Sequence, residues 1–202
     1  MGELATALTR LDEITRRLRL ECPWDREQDE RSIVPHTVEE AYELADAANS
    51  GDDAKLLDEL GDVLFQVYFL ALLMEERGQG SLAAVADSCR EKLIRRHPHV
   101  FGEGRAETAG DVITNWDRIK REDERAGQIF GELPENLPST LYAKKVLKRA
   151  RGAGVVGAPG GDEPGDRLLQ AVRAAVEAGA DPELELRRAA DRFREQVERE
   201  AS

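Results

Sequence analysis

Apolar residues in this chain recur at helical rather than strand spacing. Leu4, Leu8, Leu11, Ile14 and Leu18 stand three and four apart, one stripe of an amphipathic helix over residues 3–20. Cys22-Pro23-Trp24-Asp25 interrupts it, and the polar stretch as far as Pro35 reads as a loop. Thr37-Val38-Glu39-Glu40 has the form of a capping box, with Thr37 accepting from first-turn amides and Glu40 reaching back. A second helix is therefore expected to begin at Thr37 and to end at the Asn49-Ser50-Gly51-Asp52 turn. A third is expected over 53–77, and the apolar residues all round its second half mark it as a core helix. Ser81 is placed to cap a fourth that stops at Arg96 before Pro98, and Thr108-Ala109-Gly110-Asp111 to start a fifth bearing Trp116. No segment of comparable length alternates like a strand, so the fold class expected is all-α, a helical bundle.

Composition then divides the chain. Residues 1–130 form the expected helical domain. Residues 131–165 read as a linker holding a short basic helix, 139–149, and a stretch, 152–165, with six glycines and two prolines. Residues 166–202 supply two short helices, the second capped by Asp181 with Pro182 at its first position. Gly165-Asp166-Arg167-Leu168-Leu169-Gln170 repeats the pattern of Gly61-Asp62-Val63-Leu64-Phe65-Gln66, as though a complete helical unit were followed by a truncated second copy. The longest apolar run, 63–74, contains Gln66 and is shorter than the roughly 20 residues that span a bilayer. The first 20 residues lack a signal peptide's apolar stretch, which makes the cytoplasm the expected compartment and no membrane partner expected. Cys22 and Cys89 are then free thiols.

Charge narrows the partners. Against 29 Lys+Arg the chain carries 41 Asp+Glu, a net −12. A broad basic footprint for a nucleic acid polymer is excluded, and an anionic ligand needs a cation or a local Arg/Lys cluster to meet it. Acidic pairs are frequent at this composition, so their position decides their meaning. Glu59 and Asp62 share a helical sector with Gln66, Leu70 and Leu73, which points them inward, where carboxylates are costly unless compensated. Glu40 and Glu43 stack one turn apart on the preceding helix with Glu39 beside them, and antiparallel packing brings the two sets together. Oxygen-only ligation suits Mg²⁺, with Mn²⁺ as a substitute. The competing reading is a capping box followed by a solvated acidic face.

Lys92, Arg95 and Arg96 cluster on one helix face as a triphosphate clamp would, or as cations favourably placed in a last helical turn. His36, His97 and His99 lack zinc spacing with a carboxylate and read as loop histidines. Gly152-Ala153-Gly154-Val155-Val156-Gly157 fits G-x-G-x-x-G but follows a helix instead of a strand, so a dinucleotide site is set aside.

With these residues in place, the chain resembles the MazG family of nucleoside triphosphate pyrophosphohydrolases, within the all-α NTP pyrophosphatase superfamily. The likeness runs over 4–149 and rests on Cys22-Pro23-Trp24-Asp25, Val38-Glu39-Glu40-Ala41-Tyr42-Glu43, Asp58-Glu59-Leu60-Gly61-Asp62-Val63-Leu64-Phe65-Gln66 and Lys92-Leu93-Ile94-Arg95-Arg96-His97-Pro98-His99-Val100-Phe101. The E-E-x-x-E and E-x-x-D core is shared with dUTP, dCTP and phosphoribosyl-ATP pyrophosphohydrolases; the first and last segments look like MazG in particular. The resemblance implies a homodimer of helical bundles that cleaves NTPs or dNTPs to the monophosphate and pyrophosphate with Mg²⁺. It implies Glu40, Glu43, Glu59 and Asp62 as metal ligands, and Glu39 as a further metal contact or water-orienting base. Lys92, Arg95 and Arg96 match phosphate contacts, Trp116 an aromatic at the nucleotide pocket, and Lys55 a stretch lining the nucleotide.

The likeness fails after Arg149. Longer relatives carry a second E-E-x-x-E where this chain has its glycine-rich linker, and the clamp positions of the half copy read Arg192, Glu195 and Gln196. No second active site is expected, and activity must come from the N-terminal unit or be weak. Two alternatives stand beside a general NTP pyrophosphohydrolase. One is a catalytically weak helical module for nucleotide sensing or interaction; the other is a house-cleaning enzyme specific for dUTP or a damaged nucleotide.

Overall fold

A computed structural model describes residues 2–123, 129–130, 133–134, 136–155 and 160–201. The far end of the Gly152–Gly157 motif, 156–157, and the expected boundary at 131 lie outside them. Among the described residues the only regular secondary structure is helix, as the spacing of apolar positions requires. The helices are α1 (Glu3–Glu21), α2 (Pro23–Glu27), α3 (Glu30–Ser50), α4 (Asp53–Glu76), α5 (Leu82–Arg96), α6 (Pro98–Phe101), α7 (Ala109–Asp123), α8 (Ser139–Gly152), α9 (Pro164–Glu177) and α10 (Pro182–Glu200). They fall into two compact units, Met1–Val112 and Ile113–Ser202.

The first unit is organised on the α3–α4 hairpin. Gly51 takes the left-handed conformation (φ 71°), which a glycine adopts without a Cβ penalty, and Asp52 accepts from the Ala54 and Lys55 amides to start α4. Two residues thus reverse the chain, and α3 lies along α4 as the most extensive helix pair.

The start of α3 corrects the expectation of a helix beginning at Thr37. Its cap is Asp29, whose carboxylate accepts the Ser32 amide at 2.8 Å while the Ser32 hydroxyl accepts the Asp29 amide at 2.9 Å. Thr37 sits two turns inside, its hydroxyl 3.3 Å from the Ile33 carbonyl, the bond a mid-helix threonine makes. Pro35, expected in a loop, lies within α3; it removes one backbone donor in the second turn and the helix continues through it.

Ile33, Phe69 and Leu73 form the buried cluster, with Phe65 and Leu70 packed against it. α1 closes this end of the hairpin. Arg16 holds Glu75 through two bonds of 3.0 and 2.7 Å, and Arg19 holds Glu76 through two of 2.9 Å while its guanidinium stands 5.9 Å from the Phe69 ring centroid. Cys22 ends α1 at the expected break, but the stretch beyond it, expected as a loop to Pro35, is the short helix α2 followed by the start of α3. Asp25 is buried, Arg19 donates to the Asp25 and Gln28 carbonyls, and Trp24 meets His36 edge-on at 5.7 Å.

In the second unit α8 packs against α9 and α10. Lys144 pairs with Asp181 at 2.6 Å, Thr140 donates to Glu183, and Asp181 caps α10. Gly165 and Asp166 stand in the first turn of α9, whereas their counterparts Gly61 and Asp62 stand mid-way along α4. No helix among the described residues is long and apolar enough to cross a membrane. Cys22 and Cys89 are free thiols.

Candidate active site

Facing positions along the hairpin change character step by step. At the α1 end Ile33 meets Phe69 and Leu73. One turn on, Thr37 lies 3.3 Å from the buried Gln66 side-chain oxygen. Nearer the Gly51 turn the same seam holds carboxylates. Glu40, Glu43 and Glu59 each bring an oxygen into a group whose members lie within 4.8 Å of one another. Glu40 and Glu59 are half-buried and Glu43 is exposed. The periodicity that makes α3 and α4 pack, three and four residues per turn on each, therefore delivers the acids to one place.

Asp62 was expected with them on an inward sector. It is exposed and stands outside the three-oxygen group, although its charge acts on both Glu40 and Glu59. Of that sector, Gln66 and Leu73 are buried, and Leu70 packs on the core.

The acids disturb one another. Burial first, then the charges of Asp62, Glu43, Glu59 and Glu39, push the Glu40 carboxyl above the ordinary glutamate range. Glu59 is raised by burial and by Glu43, Asp62 and Asp58, against an opposing pull from Lys55. Its Oε2 is buried with no hydrogen-bond partner. A seat that desolvates an acceptor and surrounds it with like charge disfavours the protein on its own and favours a cation there. Glu39 is exposed and lies 3.8 Å from His36, outside the three-oxygen group.

Beside the acids, on the flank of α4, opens a groove of about 450 Å³ lined by Ala54, Lys55, Leu57, Asp58, Gly61 and Asp62. Lys55 and Asp58 thus belong both to this groove and to the field at Glu59. Asp58 was not among the expected site residues; its place immediately before Glu59 in the acidic run was the signal available. Lys92, Arg95 and Arg96 lie at the C-terminal end of α5, which packs against α4 and buries none of its residues. His97 contacts the Leu93 carbonyl at 2.7 Å, and its ring lies tilted by 57° against that of His99, the centroids 5.6 Å apart. Trp116 is on α7, in the second unit, with the Lys148 ammonium 5.9 Å from its ring centroid.

Residues 28–101 match the model of the MazG nucleotide pyrophosphohydrolase domain. An uncharacterized 26.1 kDa protein encoded in the blaB 3′ region of Streptomyces cacaoi is 41% identical over 191 residues, 92% of this chain and 78% of that one. The nucleoside triphosphate pyrophosphohydrolase of Escherichia coli is 41% identical over 137 residues, 66% of this chain and 52% of that one. The chain belongs to the MazG family. A further MazG, the nucleoside triphosphate pyrophosphohydrolase/pyrophosphatase of Thermotoga maritima, is 37% identical over 135 residues, 66% of this chain and 51% of that one. The chain spans about half the length of these two pyrophosphohydrolases. The MazG-matching segment holds all five candidate carboxylates together with Lys55, Lys92, Arg95 and Arg96, and stops short of Trp116.

Proposed function

We propose that this MazG chain hydrolyses nucleoside triphosphates, standard or non-standard, to the monophosphate and pyrophosphate, using Mg²⁺ or in its place Mn²⁺. The observation that carries the reading is the Glu40/Glu43/Glu59 group with its buried, unpartnered Glu59 Oε2. Hard carboxylate oxygens in excess of local positive charge fit a divalent ion of this class. Glu40, Glu43, Glu59 and Asp62 would hold it, and when bound it supplies neutralisation of the triphosphate and a lowered pKa for water.

The remaining residues act on the substrate. Glu39 is a further metal contact or orients the attacking water. Lys92, Arg95 and Arg96 hold the phosphates and offset charge developing on the departing pyrophosphate. Lys55 borders the nucleotide. The functional division assigned is a catalytic domain over 1–130, a connecting segment over 131–165 and a remnant over 166–202 without a second active site. We place the protein in the cytoplasm, as a homodimer that binds neither membrane nor nucleic acid polymer. Leu57, Leu60, Leu64 and Val67, exposed at spacings of three and four along α4, support the dimer.

A panel of NTPs and dNTPs, dUTP and oxidised bases included, incubated with Mg²⁺ tests the reading. Pyrophosphate with the matching monophosphate is expected. Orthophosphate, or no product at high enzyme concentration, overturns it. The second unit, which carries no E-E-x-x-E, favours a second reading, a non-catalytic nucleotide-sensing module, which predicts binding without turnover in the same panel.

A further inference from the structure

The layer between the two halves of the hairpin holds a donor that the fold does not use. Gln66 is only 7% exposed, and its side-chain oxygen lies 3.3 Å from the Thr37 hydroxyl. Among the described residues that is the one hydrogen bond its side chain makes. The amide nitrogen, with two N–H donors, is thus left without a partner in a buried side chain, where leucine or methionine would pack at no such cost.

Helix geometry gives the amide its direction. Side chains on a helix lean toward the N-terminus, which for α4 is the Gly51 end. Gln66 shares a face of α4 with Glu59 and Asp62, seven and four residues earlier, so it leans toward the acids. Behind it Phe69 and Leu73, 1% and 4% exposed, close the seam. Of the charges acting on Glu40, that of Asp62 is the strongest, which places Glu40 across the seam from the same step of α4. No hydrogen bond joins the amide to either carboxylate. A donor facing carboxylates across a gap suits a water molecule, which accepts from the amide, donates to a carboxylate and keeps a lone pair free. A phosphate oxygen in that gap would meet like charge, and a cation would meet the positive end of the amide.

We propose that Gln66, its carboxamide fixed by Thr37, orients the attacking water of the hydrolysis against Glu40. The inference rests on the pyrophosphohydrolase reading above and deepens it. The water oxygen forms the new bond to phosphorus, the bond from phosphorus to the departing pyrophosphate breaks with its electron pair on that group, and one water proton passes to the Glu40 carboxylate. Gln66 gives up no proton and carries no charge, so it acts on the rate and leaves substrate and metal binding to other groups.

The test compares Gln66→Met and Gln66→Asn in the full chain, with Mg²⁺ and whichever triphosphate the wild type turns over best. Methionine fills the same space without a donor, and asparagine keeps the amide but withdraws it by one methylene. Each should lower kcat about 10²-fold, with KM and the affinity for an α,β-imido analogue of that nucleotide within about twofold of wild type. Mn²⁺ affinity, followed by electron paramagnetic resonance, should hold within the same margin. The thermal midpoint of Gln66→Met should stay level or rise, because a buried donor without a partner has gone. Wild-type kcat in either variant overturns the inference and leaves the pyrophosphohydrolase reading standing. So does a loss of analogue or Mn²⁺ affinity that matches the loss in kcat, which makes Gln66 a binding group. A fall in kcat that comes with a lowered thermal midpoint in Gln66→Met overturns it too, since the role is then structural. A wild type that cleaves no nucleotide overturns the function first, and the role of Gln66 with it.

Discussion

The two ends of the α3–α4 hairpin share a helix pair, a register and a spacing of facing residues, yet they are built to opposite ends. Toward α1 the seam is Ile33, Phe69 and Leu73, buried and clasped by Arg16 and Arg19. Toward Gly51 it is Glu40, Glu43 and Glu59, partly desolvated and mutually repelling. The difference teaches that the first end supplies stability which the second spends. A hairpin with the acidic composition throughout would not close, and one with the apolar composition throughout would have nowhere to seat a cation.

Substitutions along the seam can break or sharpen that contrast. Phe69→Ala empties the centre of the closed end and should cost about 3–5 kcal/mol in urea unfolding. At the other end Glu59→Gln should reduce pyrophosphate release by about 10²–10³-fold yet raise the thermal midpoint in metal-free buffer. The sign follows from the raised carboxyl: its penalty on folding is fully present above the folded-state value. The penalty disappears below the ordinary glutamate value of 4.5, where both states are protonated. A stabilisation seen at pH 7 should therefore vanish as pH falls below that value. A Glu59→Gln protein less stable than wild type without metal would show that the acids are not in conflict.

Between the two ends, Thr37→Val deprives the buried Gln66 oxygen of its neighbour and should cost about 1 kcal/mol in the same urea measurement. The smallest effect belongs to the clasp. Arg16→Ala removes two partly exposed ion pairs, to Glu75 and to Asp12, and should lower the urea midpoint by the smallest margin of the series. Bonds from Arg16 hold the Glu75 carboxyl below its usual range, so this contribution is present at neutral pH and is lost as pH falls through the lowered value. Denaturation midpoints of the variant and wild type should converge there.

The hairpin's tip was legible in the sequence because its signals are local. Asn-Ser-Gly-Asp signals a turn, and the structure has there a left-handed Gly51 followed by the Asp52 cap. Its other end misled because Thr37 and Glu40 satisfy a capping pattern that an interior threonine also satisfies when it bonds back four residues. The true cap, Asp29 with Ser32, carries no Glu or Gln at its third position and so lacks the capping-box signature in the sequence. Glu40, Glu43 and Glu59 could be brought together from periodicity alone, since the facing sectors of two short-linked helices fix their register. The exposure of Asp62 could not, because a helical wheel does not say how far a neighbouring helix extends over a residue. Arg19 was invisible for another reason: its role depends on a turn of chain, Asp25 to Gln28, folding back beneath it.

The two-residue turn at Gly51 and Asp52 has a kinetic meaning as well. Every carboxylate proposed to hold the metal lies within one hairpin, so the site closes through near-neighbour contacts and the shortest of loops. Its entropy of closure is small, and its assembly does not wait for a distant strand or domain to arrive. A centre of this kind forms as early as its two helices do, and the second unit need not have folded for the acids to meet.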